Sequence, residues 1–175
     1  MLLRYLYTML ILCLAVFTVV FFYCTVPVKA SETSIIADKV IVIKSKRLLV
    51  LMREGEILKA YRVALGKKPV GRKTNAGDKK TPEGVYFIDY RNPESRFHKS
   101  LRISYPNESD ILNAEKSERT PGGDIMIHGL PDNLKELDTL HRFSDWTDGC
   151  IAVTNSEIEE IWTLVPDGTT VEIKP

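Results

Sequence analysis

The sequence predicts a mainly β domain with a few helices, sandwich-like or barrel-like, preceded by an apolar N-terminal segment. Two observations carry this fold class. Short runs rich in β-branched and aliphatic residues recur along the 175-residue chain, separated by glycine, proline and polar turns. Only two stretches show the spacing of amphipathic helices. Many short strands with few helices are typical of sandwiches and barrels.

The first predicted element is the apolar segment, residues 1–30. Residues 6–26 are all apolar, aromatic, Thr or Cys, and Arg4 and Lys29 are the only charges before residue 31. About 20 apolar residues suffice for a membrane-spanning helix, which favours an uncleaved signal anchor in the cytoplasmic membrane. Val28-Lys29-Ala30 leaves a cleavable signal peptide open. In both cases the rest of the protein is expected in the cell envelope, as a linker (31–38) and one domain (39–175).

The domain opens with a predicted meander of strands at residues 39–44, 47–53 and 56–65, with Glu54-Gly55 as a turn. A long polar loop covers residues 66–80, and the turn Thr81-Pro82-Glu83-Gly84 follows it. Further strands are expected at residues 85–90, 101–105, 124–128, 151–153 and 169–173.

Two helices are expected. Residues 132–143 carry Leu134, Leu137 and Leu140 at intervals of three, which we interpret as a stripe facing the core. Residues 154–164 open with the capping sequence Thr-Asn-Ser-Glu, within which we interpret Asn155 as a helix cap. Residues 108–120 are polar and irregular, with at most a helical turn.

Charge and histidine spacing exclude some functions. All 23 acidic residues fall after residue 30, against the 24 basic residues less Arg4 and Lys29, so the domain is nearly neutral. A neutral domain without basic blocks has no electrostatic basis for binding nucleic acid. Three scattered histidines and no cysteine pair give no metal-ligand spacing, and we expect no metal or other cofactor.

Cys150 is the only cysteine after the apolar segment, so no disulfide can form within the domain. A leftover thiol in an exported protein indicates a reactive group or intermolecular pairing, unless it is a small buried hydrophobe. A thiol nucleophile needs a base, because little of it is ionised at pH 7. His128 ends one predicted strand and Cys150 precedes another, so neighbouring strands would bring them together. Gly149 would permit a sharp turn that presents N–H groups to a reacting carbonyl.

These residues resemble the L,D-transpeptidase catalytic domain family, whose fold is of the YkuD type. The family's His-Gly pair and its Ser/Thr-x-Gly-Cys segment match His128-Gly129 and Thr147-Asp148-Gly149-Cys150. The opening meander and residues 77–84 also look like the family, so the resemblance spans most of residues 39–174. It implies a mixed β-sandwich enzyme that acts on peptidoglycan stem peptides.

The resemblance also implies a role for each matched residue. Cys150 would attack the carbonyl on the L-centre of meso-diaminopimelate, expel D-alanine and leave a thioester for an amine to resolve. His128, oriented by the carbonyl of Gly129, would accept the thiol proton. Backbone N–H groups of Gly149 and Cys150, with Asp148 as a further contributor, would form the oxyanion hole. Thr147 would steady the loop.

The chain departs from the family pattern where many members have His instead of Asp148 and Arg instead of Ala152. We expect the Asp148 side chain to point away from the thiol or to contact the substrate's amino group. Among other residues near the predicted strands, we assign Arg102 and Arg142 to a substrate carboxylate. Tyr105 and His98 are assigned to the cleft, and a role in the core or on the surface is equally open for each. His141 is assigned to solvent or to a helix cap.

The leading hypothesis is a cysteine-dependent peptidoglycan L,D-transpeptidase with stem peptides as partners and no identified protein partner. The chain looks closest to the YafK-like branch, which includes enzymes that cleave the bond between lipoprotein and peptidoglycan. A hydrolase or amidase of the same fold is therefore the first alternative. The second is a non-catalytic wall-binding module in which Cys150 is part of the core.

Overall fold

The structure, a computed structural model, describes residues 35–175. The predicted apolar segment (1–30) and the start of the predicted linker lie outside the described residues. Among the helices within residues 35–175, none combines the length and the apolar character that crossing a membrane requires.

Eight strands and two α-helices organise the described residues. In chain order the strands are β1 (Lys39–Ile43), β2 (Leu48–Arg53), β3 (Glu56–Arg62), β4 (Gly84–Ser95), β5 (His98–Ile103), β6 (Met126–His128), β7 (Ile151–Ala152) and β8 (Thr170–Lys174). The helices are α1 (Glu108–Glu115) and α2 (Asn155–Leu164), and 3₁₀ helices cover Lys44–Lys46 and Asp132–Phe143. The prediction of a mainly β domain with a few helices is confirmed, and every predicted strand has a counterpart.

The opening meander forms as predicted. β1 pairs antiparallel with β2, and β2 pairs antiparallel with β3. Glu54 and Gly55 both have positive φ, 52° and 86°, which is the backbone conformation of the tight hairpin turn that matches the twist of the strands.

The strand order is β3-β2-β1-β8-β4-β5-β6-β7. The long strand β4 belongs to both halves of this sheet, because its first residues pair with β8 and its later residues pair with β5. Two register shifts bend β4, and Pro93, which cannot donate to a ladder, lies at the second of them. A bridge between Ala64 and Ala152 then joins the chain after β3 to β7, so the two ends of the strand order meet.

Two strand pairs are parallel, β1 with β8 and β6 with β7. The sheet is therefore mixed. Its inner face and one side of α2 bury a single apolar core, which includes Val40, Leu49, Tyr86, Leu101, Ile127, Ile151, Ile158, Ile161 and Val171. Because β6 and β7 contribute Ile127 and Ile151 to this core, the strands that carry the candidate site are fixed by burial on one face.

Residues 132–143 are helical within the predicted bounds, but the predicted α-helix with a stripe facing the core is wrong. The segment is a 3₁₀ helix interrupted at Asp138, where φ is +41°, and Leu137 and Leu140 are exposed. A spacing of three residues matches the 3.0 residues per turn of a 3₁₀ helix better than the 3.6 of an α-helix. The break at Asp138 then prevents the three leucines from forming one continuous apolar face along the helix.

Residues 108–120 contain more helix than predicted. α1 extends over Glu108–Glu115 and begins with a reciprocal cap, in which the Asn107 side chain accepts the Asp110 N–H and the Asp110 carboxylate accepts the Asn107 N–H. The signal was present as Asn107 followed three residues later by an acid, although the usual partner is Glu or Gln.

Candidate active site

The segment before β7 is held against the chain that follows β3 by backbone hydrogen bonds. The N–H of Thr147 donates to the carbonyl of Leu65, and the N–H of Lys67 donates to the carbonyl of Thr147, at 3.1 and 3.0 Å. The Thr147 hydroxyl donates to the carbonyl of Cys150 at 2.8 Å and accepts the N–H of Gly149 at 3.1 Å. Thr147 therefore closes the turn on which Cys150 lies, which is the steadying contact that the resemblance implies.

Gly149 allows that turn to form. Its φ is +136°, a value that side chains with a Cβ rarely adopt. A Cβ at this position would lie 2.8 Å from the carbonyl oxygen of Lys80 and 3.0 Å from Cδ1 of Ile125. Both the backbone angle and the available space therefore require glycine immediately before the thiol.

His128 is the last residue of β6 and is 1% exposed. Its ring stacks on Phe97, with the ring centres 4.3 Å apart, and meets Trp146 edge-on at 5.9 Å. Nδ1 of His128 lies 2.7 Å from the carbonyl oxygen of Gly129. A carbonyl can only accept, so this contact places the proton on Nδ1 and leaves Nε2 as the unprotonated nitrogen.

Gly129 can make this contact because the backbone there is tightly enclosed. A Cβ on Gly129 would lie 2.6 Å from Oδ1 of Asn155 and 3.0 Å from the carbonyl oxygen of Phe97. The same Asn155 oxygen accepts the N–H of Leu130 at 2.7 Å. The prediction that Asn155 caps the helix is wrong, since the cap of α2 is Thr154, and Asn155 instead fixes the chain that follows the histidine.

The parallel pairing of β6 with β7 brings His128 and Cys150 to the same cavity. Ile127 pairs with Ile151, and both side chains are fully buried in the core. Since side chains alternate along a strand, the neighbouring residues 128 and 150 lie on the opposite face. Both line one cavity of about 700 Å³. The thiol of Cys150 is partly exposed and donates to the carbonyl of Asp124 at 3.7 Å rather than to the imidazole.

Burial makes both groups neutral. It lowers the pKa of His128 to about 4; the hydrogen bond that His128 donates to the Gly129 carbonyl partly opposes this shift, and repulsion from Arg96 and from a protonated His141 adds a little to it. Burial also raises the pKa of the Cys150 thiol, and the charges of Asp148 and Asp124 raise it further. At pH 7 the site therefore contains a protonated thiol beside a neutral imidazole, which is an available base.

Asp148 lines the cavity with Cys150, and its carboxylate is paired with two lysines. Its side chain is mostly exposed and pairs with Lys79 at 2.9 Å and with Lys67 at 3.4 Å. These two ammonium groups hold the pKa of the Asp148 carboxyl below its ordinary value. The acid that replaces the family's common histidine is therefore neutralised by lysines from the loop between β3 and β4.

The other residues assigned to substrate lie outside the residues that line this cavity. Tyr105 is buried and its hydroxyl donates to the carbonyl of Pro121 at 2.8 Å. His98 lies 2.7 Å from Glu159 of α2, and Arg102 pairs with Asp89 at 2.9 Å. Arg142 pairs with Glu157 at 2.6 Å. These contacts give Tyr105 a role in the core and commit both arginines to carboxylates of the protein itself.

The structure adds residues that the sequence analysis did not assign. Trp146 packs between His128 and His141, and its indole N–H lies 3.4 Å from Nδ1 of His141. The interpretation of His141 as solvated or capping is wrong, because it is 3% exposed and burial lowers its pKa to about 4. Phe97 and Arg96, in the turn between β4 and β5, line the cavity. The only sequence signal for these aromatic contacts around His128 was the position of Trp146, four residues before the thiol.

The chain is similar to known proteins over most of its described length. The family model described as the L,D-transpeptidase catalytic domain, YkuD, matches residues 37–173. YafK of Escherichia coli (strain K12), whose name places it provisionally among the L,D-transpeptidases, is 30% identical over 112 residues, which is 63% of this chain and 38% of YafK. The resemblance stated from the motifs is thereby confirmed.

Solved structures agree with the family model. The helical cell shape determining protein Pgp2 from Campylobacter jejuni is 26% identical, with a TM-score of 0.59 over 83% of this chain and 53% of Pgp2. An L,D-transpeptidase from Mycobacterium smegmatis shares the fold at 13% identity, with a TM-score of 0.53 over 79% of this chain and 59% of that one. The chain thus spans less than half of YafK and about half of Pgp2.

Proposed function

Because the chain belongs to the L,D-transpeptidase catalytic domain family, we propose that it is a cysteine-dependent peptidoglycan L,D-transpeptidase. In this proposal Cys150 forms a thioester with the carbonyl on the L-centre of meso-diaminopimelate in a stem peptide, and an amine then accepts the acyl group. The supporting observation is that Cys150 and a neutral, oriented His128 line the same cavity.

The first step joins the sulfur to the carbonyl carbon. As the bond forms, the thiol proton moves to Nε2 of His128, which the Nδ1 contact with Gly129 leaves unprotonated. The raised pKa of Cys150 and the low pKa of His128 disfavour a charged pair before substrate binds. Proton transfer therefore accompanies the attack, as general-base catalysis.

The second step expels D-alanine. The tetrahedral intermediate collapses, the carbon–nitrogen bond breaks, and the imidazolium of His128 returns the proton to the leaving amine. The neutral imidazole then takes a proton from the incoming amine as it attacks the thioester, and the thiol is regenerated. Each half-reaction moves one proton through the same nitrogen, so no further acid or base is needed.

The negative charge on the intermediate requires nearby donors. The backbone N–H of Cys150 is the first candidate, because it belongs to the turn that carries the sulfur. The N–H of Gly149 donates to the Thr147 hydroxyl in this structure, so it contributes only if that hydrogen bond is exchanged for one to the substrate. Thr147 keeps its second contact, to the Cys150 carbonyl, during this exchange.

We also propose that the protein acts in the cell envelope, held at the cytoplasmic membrane by its apolar segment (1–30). The segment's length and composition and the family's wall substrate support this location. Similarity to Pgp2 supports a contribution to cell shape. Membrane fractionation with the intact mass of the protein tests the location: release at alkaline pH with a mass that lacks the segment would show cleavage instead of anchoring.

Muropeptide analysis with purified wild-type protein and a Cys150→Ala variant tests the function. We expect wild-type protein to produce new diaminopimelate–diaminopimelate cross-links or attached lipoprotein, and Cys150→Ala to produce neither while its circular dichroism stays that of the wild type. Released stems or free lipoprotein would show that water is the acceptor and that the protein is the hydrolase. Processing by the folded Cys150→Ala variant would refute a cysteine mechanism, and no processing by wild type would favour a wall-binding module.

A further inference from the structure

The turn between β4 and β5 forms the wall of the cavity next to the imidazole. Ser95, the last residue of β4, lines the cavity with Arg96 and Phe97 of this turn and with His128 and Cys150. Phe97 stacks on the His128 ring, and the guanidinium carbon of Arg96 lies 4.8 Å from the centre of the Phe97 ring. The three side chains form a layered stack, with the imidazole innermost and the guanidinium outermost.

Arg96 differs from the other cations that line this cavity. Lys73 pairs with Asp78 at 2.8 Å, and Lys67 pairs with Asp148 at 3.4 Å. Within residues 35–175 no carboxylate lies within ion-pair distance of Arg96. The guanidinium carbon lies over an aromatic ring, and no carboxylate of the described residues pairs with its N–H groups, which can meet a ligand in two parallel hydrogen bonds.

The charge of Arg96 reaches both reacting groups. It lowers the pKa of His128 and also lowers that of Cys150, in each case as a minor contribution beside burial. Asp124 and Asp148, the acids that line the cavity, are engaged by Arg102 and by the two lysines respectively. A bound carboxylate would therefore meet its strongest unmatched positive charge at Arg96.

We propose that Arg96 binds a carboxylate of the donor stem peptide and so favours an acidic donor. This inference rests on the proposed function for the identity of the ligand. It replaces the sequence-based assignment of the carboxylate to Arg102 or Arg142, both of which are paired within the protein. The bound carboxylate would hold the donor on the His128 side of the sulfur.

Binding to the inactive Cys150→Ala protein tests this directly. The probes are a tetrapeptide stem and analogues in which each free carboxylate is amidated in turn. We expect Arg96→Gln, added to Cys150→Ala, to weaken binding of the stem about tenfold, the low end for a hydrogen bond to a charged group because Arg96 is exposed. Amidation of one of the stem's carboxylates should weaken its binding to Cys150→Ala by a similar factor. The same amidation should not change binding to the double variant that also carries Arg96→Gln.

Two variants serve as controls. Arg96→Lys keeps the charge without the planar fork and should recover only part of the affinity. Arg62→Gln removes an arginine of β3 that donates to the backbone carbonyl of Lys46 and does not line the cavity, so it should bind like the parent. Equal affinity with and without Arg96, or equal sensitivity of both proteins to every amidation, would overturn the inference. Binding is measured without turnover, so the two failures can be told apart. An inactive wild-type protein would refute the proposed function, whereas the binding measurements alone decide whether Arg96 holds the carboxylate.

Discussion

At the scale of single residues, His128 and Cys150 line one cavity as an uncharged pair. Burial lowers the pKa of the histidine to about 4 and raises that of the thiol. Cysteine sites that rely on a resting thiolate place a positive charge or a helix N-terminus beside the sulfur, whereas here Asp148 and Asp124 oppose ionisation. In the proposed mechanism the reactivity of Cys150 therefore comes from the base at the moment of attack.

A buried, neutral His128 sets the acid limb of the rate profile. His128 is protonated only as the pH approaches about 4, so at pH 5 about nine tenths of the protein still carries the neutral base. We expect kcat/KM for a stem peptide at pH 5 to lie within about twofold of its value at pH 7, because this parameter reports the ionisation of the free enzyme. An acid limb centred near pH 6.5 would contradict a buried, neutral base.

The folded fraction must be checked by circular dichroism at each pH. His128 and His141 both have folded-state pKa values of about 4, below the ordinary value of 6.5. The unfolded chain therefore binds protons first as the pH falls, and the stability that neutral burial provides above pH 6.5 is lost between about pH 6.5 and 4. A rate loss that follows unfolding is thereby separated from protonation of the base.

The sequence could nominate His128, Gly129, Gly149 and Cys150 as candidate site residues because a short motif joins each of them to its neighbours along the chain. It could not identify the state of Asp148 or the burial of His141, which depend on residues distant in sequence. Arg96 was missed for the same reason. An arginine in a turn can be recognised as a candidate site residue only when another strand is seen to bring an imidazole close to it.

At the scale of elements, the turn that ends in Gly149 decides where the sulfur lies. Gly149→Ala would place a Cβ 2.8 Å from the Lys80 carbonyl at a φ of +136°. We expect this variant to lose about 1–3 kcal/mol in the free energy of unfolding and at least tenfold in kcat/KM, since the turn must shift to relieve the contact. Denaturant titration and turnover of a stem peptide measure the two effects.

Gly168→Ala is the matched control. Gly168 also has a positive φ, +80°, but a Cβ there would have no atom within 4 Å. It should cost about 1–2 kcal/mol of stability for the backbone conformation alone and leave kcat/KM unchanged. Full activity in Gly149→Ala, or an equal loss of activity in both variants, would show that this turn does not position the thiol.

Prediction of the elements succeeded where the pattern was local. The meander, the strands that carry His128 and Cys150, and the cap of α2 follow from alternation and capping residues. The segment 132–143 was misread because a three-residue apolar spacing was assigned to an α-helix, although it fits a 3₁₀ helix. The length of β4 was underestimated because Pro93 argues against a strand unless a bulge accommodates it.

At the scale of the whole domain, the site exists because distant strands pair. β6 and β7 lie side by side in parallel, and the chain after β3 bridges to β7. The order of the strands could not be predicted from hydrophobic periodicity, because a period shows which face is buried and not which strand is adjacent. The family motif supplied that information indirectly, since a His-Gly pair and a Gly-Cys segment function together only when their strands meet.

The central claim is that Cys150 carries the acyl group of the stem peptide. Rapid quenching of wild-type protein with a tetrapeptide donor, followed by mass spectrometry, tests it most directly. We predict an adduct with the mass of the donor less D-alanine, confined to the peptide that contains Cys150 and removed by hydroxylamine. Continued turnover with an unmodified Cys150, or an acyl group on any other residue, would contradict the account.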